Sequence, residues 1–406
     1  MKVNVDTNWK TISNGWVYTG GTWEQFWPTG TTEFKFMGYV DAIPTDTPVD
    51  NLRCGWLCLF NGFASIVYRD TSTNDIKMSI VSFSYSNDTL STSITSGITL
   101  GSMYYNGDGW YSYKIDGYDD GTSGKVLVCI NGPDSGEVTS RIIHVCSTGA
   151  TLGTEYTNTS NNIYRNYSIT RIGNNRYVLG GIGGTVGASG RYLRIITHNT
   201  STDALTYGTE QVEGTLQNYC HLTEIDTDKF MVSPLKITPP GKNVSYAGIA
   251  TVSGTTITPP PTYYQLLSDT YGLRGKTDIT IKPSGSTYIG CSVFGLRPER
   301  TERSYYKIDG TVISDINRGD SYVNDDCVLF NNFDDTILFF GDSGGTSFVA
   351  DRDILTYSGF EGSVDGWTNT SIRGTNIRDI DQLDDVIAIV KNDGVVIFVK
   401  NNKVED

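Results

Sequence analysis

Short apolar segments recur along this chain at nearly even spacing, and that recurrence constrains the fold more than any other feature. They read Ile66-Val67-Tyr68, Val126-Leu127-Val128, Tyr177-Val178-Leu179, Phe230-Met231-Val232, Tyr288-Ile289-Gly290, Ile337-Leu338-Phe339 and Val386-Ile387-Ala388. Their starts lie 60, 51, 53, 58, 49 and 49 residues apart. A second apolar segment precedes six of them, at 113–115, 169–172, 222–225, 279–281, 328–330 and 377–380. A polar turn separates the two, as at Asn174-Asn175, Asp334-Asp335 and Asp384-Asp385. Asp and Asn suit such turns because their side chains satisfy backbone donors and tolerate left-handed backbone. The fullest copy, residues 167–197, reads strand, polar turn, strand, Gly-rich turn, strand. Seven copies of a three- or four-strand unit at this period are the signature of a seven-bladed β-propeller. Two sandwiches would not produce seven near-equal spacings.

The last unit supplies strands at 377–381, 385–391 and 395–400 and then stops short of an outermost strand. Residues 34–40, FKFMGYV, precede the first unit and belong to none. The expectation is that they complete the seventh blade, so that one sheet joins both ends of the ring. This divides the chain into residues 1–30, a short β-hairpin anchor, and 31–406, the propeller.

Composition agrees with an all-β chain: 45 Gly and 25 Tyr among 406 residues, with no sustained helical period. The formal net charge of −14 repels phosphate and anionic lipid, which argues against nucleic acid and membrane surfaces as partners. The start, MKVNVDTNWK, lacks an apolar export core, and no apolar run approaches the about 18 residues of a membrane span. The reading is therefore a protein without signal peptide or membrane insertion. Seven Cys are scattered without a CxxC pair, as expected of buried thiols in a reducing compartment. Cys129 and Cys146, on neighbouring predicted strands, are the one pair left open to bridging.

Residues 3–26 carry a 14-residue repeat: Val3, Trp9, Lys10 and Ile12 map onto Val17, Trp23, Glu24 and Phe26. The pattern is that of successive hairpins, with Gly20-Gly21 supplying a turn of positive φ. Trp9, Trp16, Trp23 and Trp27 concentrate more aromatic area than so small a segment can bury alone, which marks an interface. The phrase from Trp9-Lys10-Thr11-Ile12 through Trp16-Val17-Tyr18-Thr19-Gly20-Gly21-Thr22-Trp23 resembles the hairpin repeats of tail and fibre proteins of tailed bacteriophages. What this resemblance implies is a structural role in a virion assembled in the host cytoplasm. The four Trp would then dock onto other virion proteins.

No catalytic signature emerges beside this. Gly341-Asp342-Ser343-Gly344-Gly345 copies the nucleophile sequence of chymotrypsin-like proteases. It falls at a turn between the second and third strands of the sixth unit, however, and the three His (144, 198, 221) belong to other units. The segment from Asp116 to Gly121 lacks the spacing and bidentate Glu of a calcium loop. No His/Cys cluster, Walker sequence or dinucleotide-binding glycine pattern is present, so neither metal nor cofactor is expected. Arg297, Arg300 and Arg303 fall in a predicted loop between the second and third strands of the fifth unit, interleaved with Glu299 and Glu302. They are candidates for an acidic glycan or partner surface, or for internal ion pairs. Tyr104, Tyr105 and Trp110, with Tyr263 and Tyr264, are loop aromatics suited to stacking on sugar faces.

The expectation is thus a non-enzymatic phage tail or fibre protein, anchored by its N-terminus and presenting a propeller face to host-surface glycan or to subunits. The alternative is a carbohydrate-active hydrolase or lyase, or a soluble lectin, on the same ring. Enzymatic cleavage would need a carboxylate pair across the ring mouth, which the sequence does not nominate.

Overall fold

The computed structural model describes residues 2–5, 8–11, 15–19, 22–26, 32–48, 56–102, 113–119, 123–131, 137–159, 165–173, 175–183, 190–213, 219–238, 242–266, 273–296, 300–321, 324–330, 336–342, 348–356, 359–361, 367–369, 377–391 and 393–403. Their regular structure is entirely strand. Seven antiparallel sheets of four or five strands follow one another along the chain. Blade 1 comprises Trp56–Phe60, Phe63–Arg69, Asp75–Ser86 and Thr89–Ser102. Blades 2 to 6 begin with Tyr113–Asp119, Arg165–Ile172, Tyr219–Asp226, Leu273–Ser284 and Asn324–Phe330. Blade 7 takes Ile377–Leu383, Val386–Lys391 and Val395–Lys403 from the end of the chain. Its outermost strand is Thr32–Asp41, paired antiparallel to Val395–Lys403 with Val40 opposite Val396 and Tyr39 opposite Ile397.

The first strand of each blade packs against the first strand of the next, and that of blade 7 packs against that of blade 1. The sheets therefore form a closed ring with their first strands innermost. Burial explains why the second strand was the clearest repeat. Every residue of Phe63–Arg69 is buried, because a central strand has a neighbouring blade on each face. Alternate side chains enter different interfaces: Ile66 joins Leu57, Ala388 and Phe398 between blades 7 and 1, whereas Val67 joins Val126 and Val128 between blades 1 and 2. Among the described residues seven such apolar clusters occur, one between each pair of neighbouring blades. Each buried Val, Ile, Leu or Phe contributes about 1.5–3 kcal/mol by leaving water, so stability is distributed around the ring.

The tight turns use the residue types their backbone requires. Gly285 (φ 63°) and Asp384 (φ 50°) occupy left-handed conformations between first and second strands. Before the ring, Lys2–Val5 pairs with Asn8–Thr11, and Gly15–Thr19 pairs with Thr22–Phe26, as two separate two-stranded sheets. Cys58, Cys129, Cys146, Cys291 and Cys327 are not in disulfides. Cys129 faces Ser140 across the ladder and Cys146 faces Gly149, so the register keeps the candidate bridge apart.

Candidate functional site

Among the described residues no ladder joins neighbouring innermost strands, so amides along their axial edge need other acceptors. Side chains from the adjoining blade supply them. Asp379 and Asp381 of blade 7 accept the amides of Leu57 and Leu59 of blade 1, each at 2.8 Å. Asp116 of blade 2 accepts that of Arg171 in blade 3 at 2.6 Å, and Ser168 of blade 3 accepts that of Leu222 in blade 4 at 3.0 Å. In blade 5, Asp278 and Thr280 accept the amides of Val328 and Phe330 in blade 6 at 2.8 and 3.3 Å. The sequence carries a trace of this belt as a polar–apolar–polar triplet on several innermost strands: Ser168-Ile169-Thr170, Asp278-Ile279-Thr280 and Asp379-Ile380-Asp381. The apolar residue enters a blade interface and the polar ones serve the axis.

Enclosure shifts the acids of the belt. Burial pushes the Asp381 carboxyl up to about 7 against the amide of Leu59, which favours the ionised form, and the charge of Asp379 pushes it further. Asp116 is likewise raised to about 7 by burial, opposed by the amide and charge of Arg171. Cys58 beside them is driven well above the usual thiol range by burial and by Asp381, Asp116 and Asp379, which makes it a poor nucleophile. Asp116, the start of the weak calcium-loop resemblance, is thus spent on a backbone amide of the next blade.

Between blades 5, 6 and 7 the innermost strands leave a cavity of about 280 Å³. Asp278, Thr280, Asp381 and Gln382 give it polar walls; Leu329, Phe330 and Ile380 give it apolar ones.

A second polar cluster lies between blades 2 and 3. Asp203, left-handed (φ 55°) in the turn after Gly190–His198, receives Lys125 Nζ at 3.2 Å and His198 Nε2 at 2.9 Å on one oxygen. Its other oxygen receives His144 Nε2. Burial alone would raise Asp203, but the hydrogen bonds from His144, His198 and Lys125 outweigh it and hold the carboxyl at about 2. Burial lowers His198 despite that contact. Among the described residues no group of three or more His, Cys, Asp or Glu is arranged to hold a metal ion. Sequence reasoning missed this cluster, since its members come from two blades. The one local signal was that Lys125 and His144 fall opposite each other on adjacent strands.

Of the residues singled out by sequence, Arg300 and Arg303 lie on the strand Arg300–Asp309 rather than in a loop. The ladder extends this far because Arg303 sits opposite Val293 and Arg300 opposite Leu296. Arg303 is buried, its guanidinium 3.7 Å from the ring centre of Phe339 in blade 6. Arg297, Tyr104, Tyr105, Trp110, Trp27 and Ser343 lie outside the described residues. Trp9, Trp16 and Trp23 lie on the N-terminal hairpin strands, where Trp23 pairs with Tyr18 and Trp16 with Gln25. Tyr263 instead meets Arg191, whose guanidinium lies 5.0 Å from its ring centre.

No family model matches this chain, and no curated protein does. Several solved structures are similar at low identity. Polysaccharide lyase Uly1 is 6% identical with a TM-score of 0.49, over 85% of this chain and 89% of its own. A six-bladed fucose-recognising lectin of Aleuria aurantia is 9% identical with a TM-score of 0.45, over 78% of this chain and 97% of the lectin. A prolyl endopeptidase is 12% identical with a TM-score of 0.47 over 83% of this chain, which spans only 44% of that enzyme. By the pairings of its described residues this chain is an all-β propeller.

Proposed function

We propose that this chain is a non-enzymatic structural protein of a bacteriophage tail or fibre. Its N-terminal hairpins dock onto other virion proteins, and its ring presents a face to host-surface glycan or to neighbouring subunits. The observation that carries the reading is the pair of tandem N-terminal hairpins, each forming a sheet of its own. A lone two-stranded sheet is marginally stable in water. Along the ladders Trp16 pairs with Gln25 and Trp23 with Tyr18, and Trp9 holds the position in the first hairpin that Trp23 holds in the second. A partner chain covering these hairpins would supply the missing packing. The axial acids favour a structural ring over an enzyme, since Asp379, Asp116 and Asp278 each accept an amide of the next blade. Deleting residues 1–28 should leave a folded ring with an unchanged unfolding midpoint that no longer joins particles; unimpaired incorporation would count against docking.

A glycan-cleaving enzyme is the second reading, and one observation favours it: Asp381, poised at about 7, shares a cavity with Asp278. Measurable cleavage of host capsule or lipopolysaccharide by the purified chain would select it.

A further inference from the structure

The outermost strand of blade 1 is unlike the outer edges of the other blades. In blades 2, 3, 4 and 6 that position is split between two short pieces, as with Leu205–Tyr207 and Gln211–Glu213 in blade 3. In blade 5 it carries Asp315, Arg318 and Asp320, and in blade 7 Glu33, Lys35 and Asp41. Short pieces and charges are the usual means by which an edge refuses another strand. Thr89–Ser102 has neither, for it runs 14 residues without a charge. Within it, residues 89–95 pair with 80–86 in unbroken register, and most of them are exposed. The inner ladder decides which backbone groups face outward. Phe83 donates its amide to the carbonyl of Gly62 at 2.8 Å, on the side away from its cross-strand partner Thr92. Phe83 and Thr92 are therefore a pair without mutual hydrogen bonds, and Thr92 aims its N–H and C=O away from the blade. By the two-residue period of a strand, Leu90 and Ile94 do the same. Among the described residues no strand pairs with this edge.

We propose that residues 89–95 pair with the same segment of a second copy of this chain, antiparallel about Thr92. The segment reads TLSTSIT, which is nearly its own reverse. Turned about Thr92, it sets Thr89 against Thr95, Leu90 against Ile94, Ser91 against Ser93 and Thr92 against itself. Every cross-strand pair then joins side chains of one kind, and hydroxyl and aliphatic pairs of this sort stabilise a ladder. Leu90 against Ile94 and Thr92 against Thr92 are the pairs that exchange both backbone hydrogen bonds, since these residues point outward. Ile94, 41% exposed in the single ring, is covered by Leu90 of the second copy. An unrelated strand would meet the same backbone without this symmetry. Charge selects the same place: two copies of formal charge −14 repel each other, and this edge sets no like charges face to face. A ladder about 24 Å long makes a small interface, so monomer and dimer exchange at micromolar concentration. Neither hairpin docking nor glycan binding enters this pairing.

The test is sedimentation velocity on the full chain at rising concentration, with amide hydrogen exchange of peptides covering 89–95 followed in parallel. A monomer–dimer equilibrium should appear, and those peptides should gain protection as the dimer fills. Thr92→Pro removes an outward N–H that the blade does not use, a change an edge strand tolerates. It should weaken dimerisation at least about tenfold, the loss of backbone hydrogen bonds across the two-fold, with the unfolding midpoint unchanged. Should Thr92→Pro lower that midpoint, Thr92→Lys and Thr92→Asp serve instead. Each sets like charges face to face and should dissociate the dimer, whereas an equimolar mixture of the two should restore it. A chain still monomeric at about 0.1 mM, a dimer that persists in the variants, or a mixture that stays monomeric would overturn the proposal.

Discussion

Asp116 and Asp381 hold neighbouring blades together with the very groups that burial makes hard to ionise. Both carboxyls rise from 3.8 to about 7 on folding, so the unfolded chain ionises first as pH increases. Their contribution is fully present below about pH 4 and is lost progressively towards about pH 7. Asp70 and Asp203 run the other way: each is held at about 2, so their contribution is present above about pH 4 and fails only in strong acid. Urea midpoints should therefore fall from about pH 4 to about pH 7. The double variant Asp116→Asn, Asp381→Asn should flatten that slope by up to about 1 kcal/mol per pH unit for each group, whatever its constant offset. An unchanged slope would show that these acids are not the ones titrating. A second residue-scale prediction concerns Gly290, where an added Cβ would run into the ring of Tyr306. Gly290→Ala should cost about 1–3 kcal/mol through overpacking, seen as a lower urea midpoint with an unchanged m-value.

Among the elements, Thr32–Asp41 is the one that joins the two ends of the ring in a single sheet. It pairs along Val395–Lys403, and Met37 packs with Val396 and Phe398 between blades 7 and 1. Removing residues 1–41 would leave Val395–Lys403 as an exposed edge and take away this burial. The loss should be several kcal/mol, with a tendency to aggregate through the open edge, whereas removing residues 1–28 should change the midpoint little. Thermal unfolding of the two truncations side by side checks this. The blades were legible in sequence because a strand sandwiched between two neighbours must be apolar on both faces, as in Tyr177-Val178-Leu179 and Ile387-Ala388-Ile389. The ends of strands were less legible. Arg300 and Arg303 read as loop because charged residues rarely continue a ladder, yet Arg303 is covered by stacking on Phe339 from the next blade. Only the tertiary arrangement supplies that cover.

For the molecule as a whole, ring and site differ in how far a sequence can disclose them. The ring is a repeat, so a local pattern announces it many times over. The polar sites arise where different repeats meet: Asp203 reaches His144 across 59 positions, and Asp379 reaches Leu57 across 322. No local period records such a meeting, although the triplets Asp278-Ile279-Thr280 and Asp379-Ile380-Asp381 hinted that innermost strands carry polar groups at fixed places. A ring closed by a strand from the opposite end of the chain makes one demand above all others: the two ends must be equally well held. Amide hydrogen exchange on the intact chain reads this without any substitution. Peptides spanning 32–41 should be protected as strongly as those spanning 395–403, and both should open together. Exchange of 32–41 within seconds, while 395–403 remains protected, would contradict the closed ring.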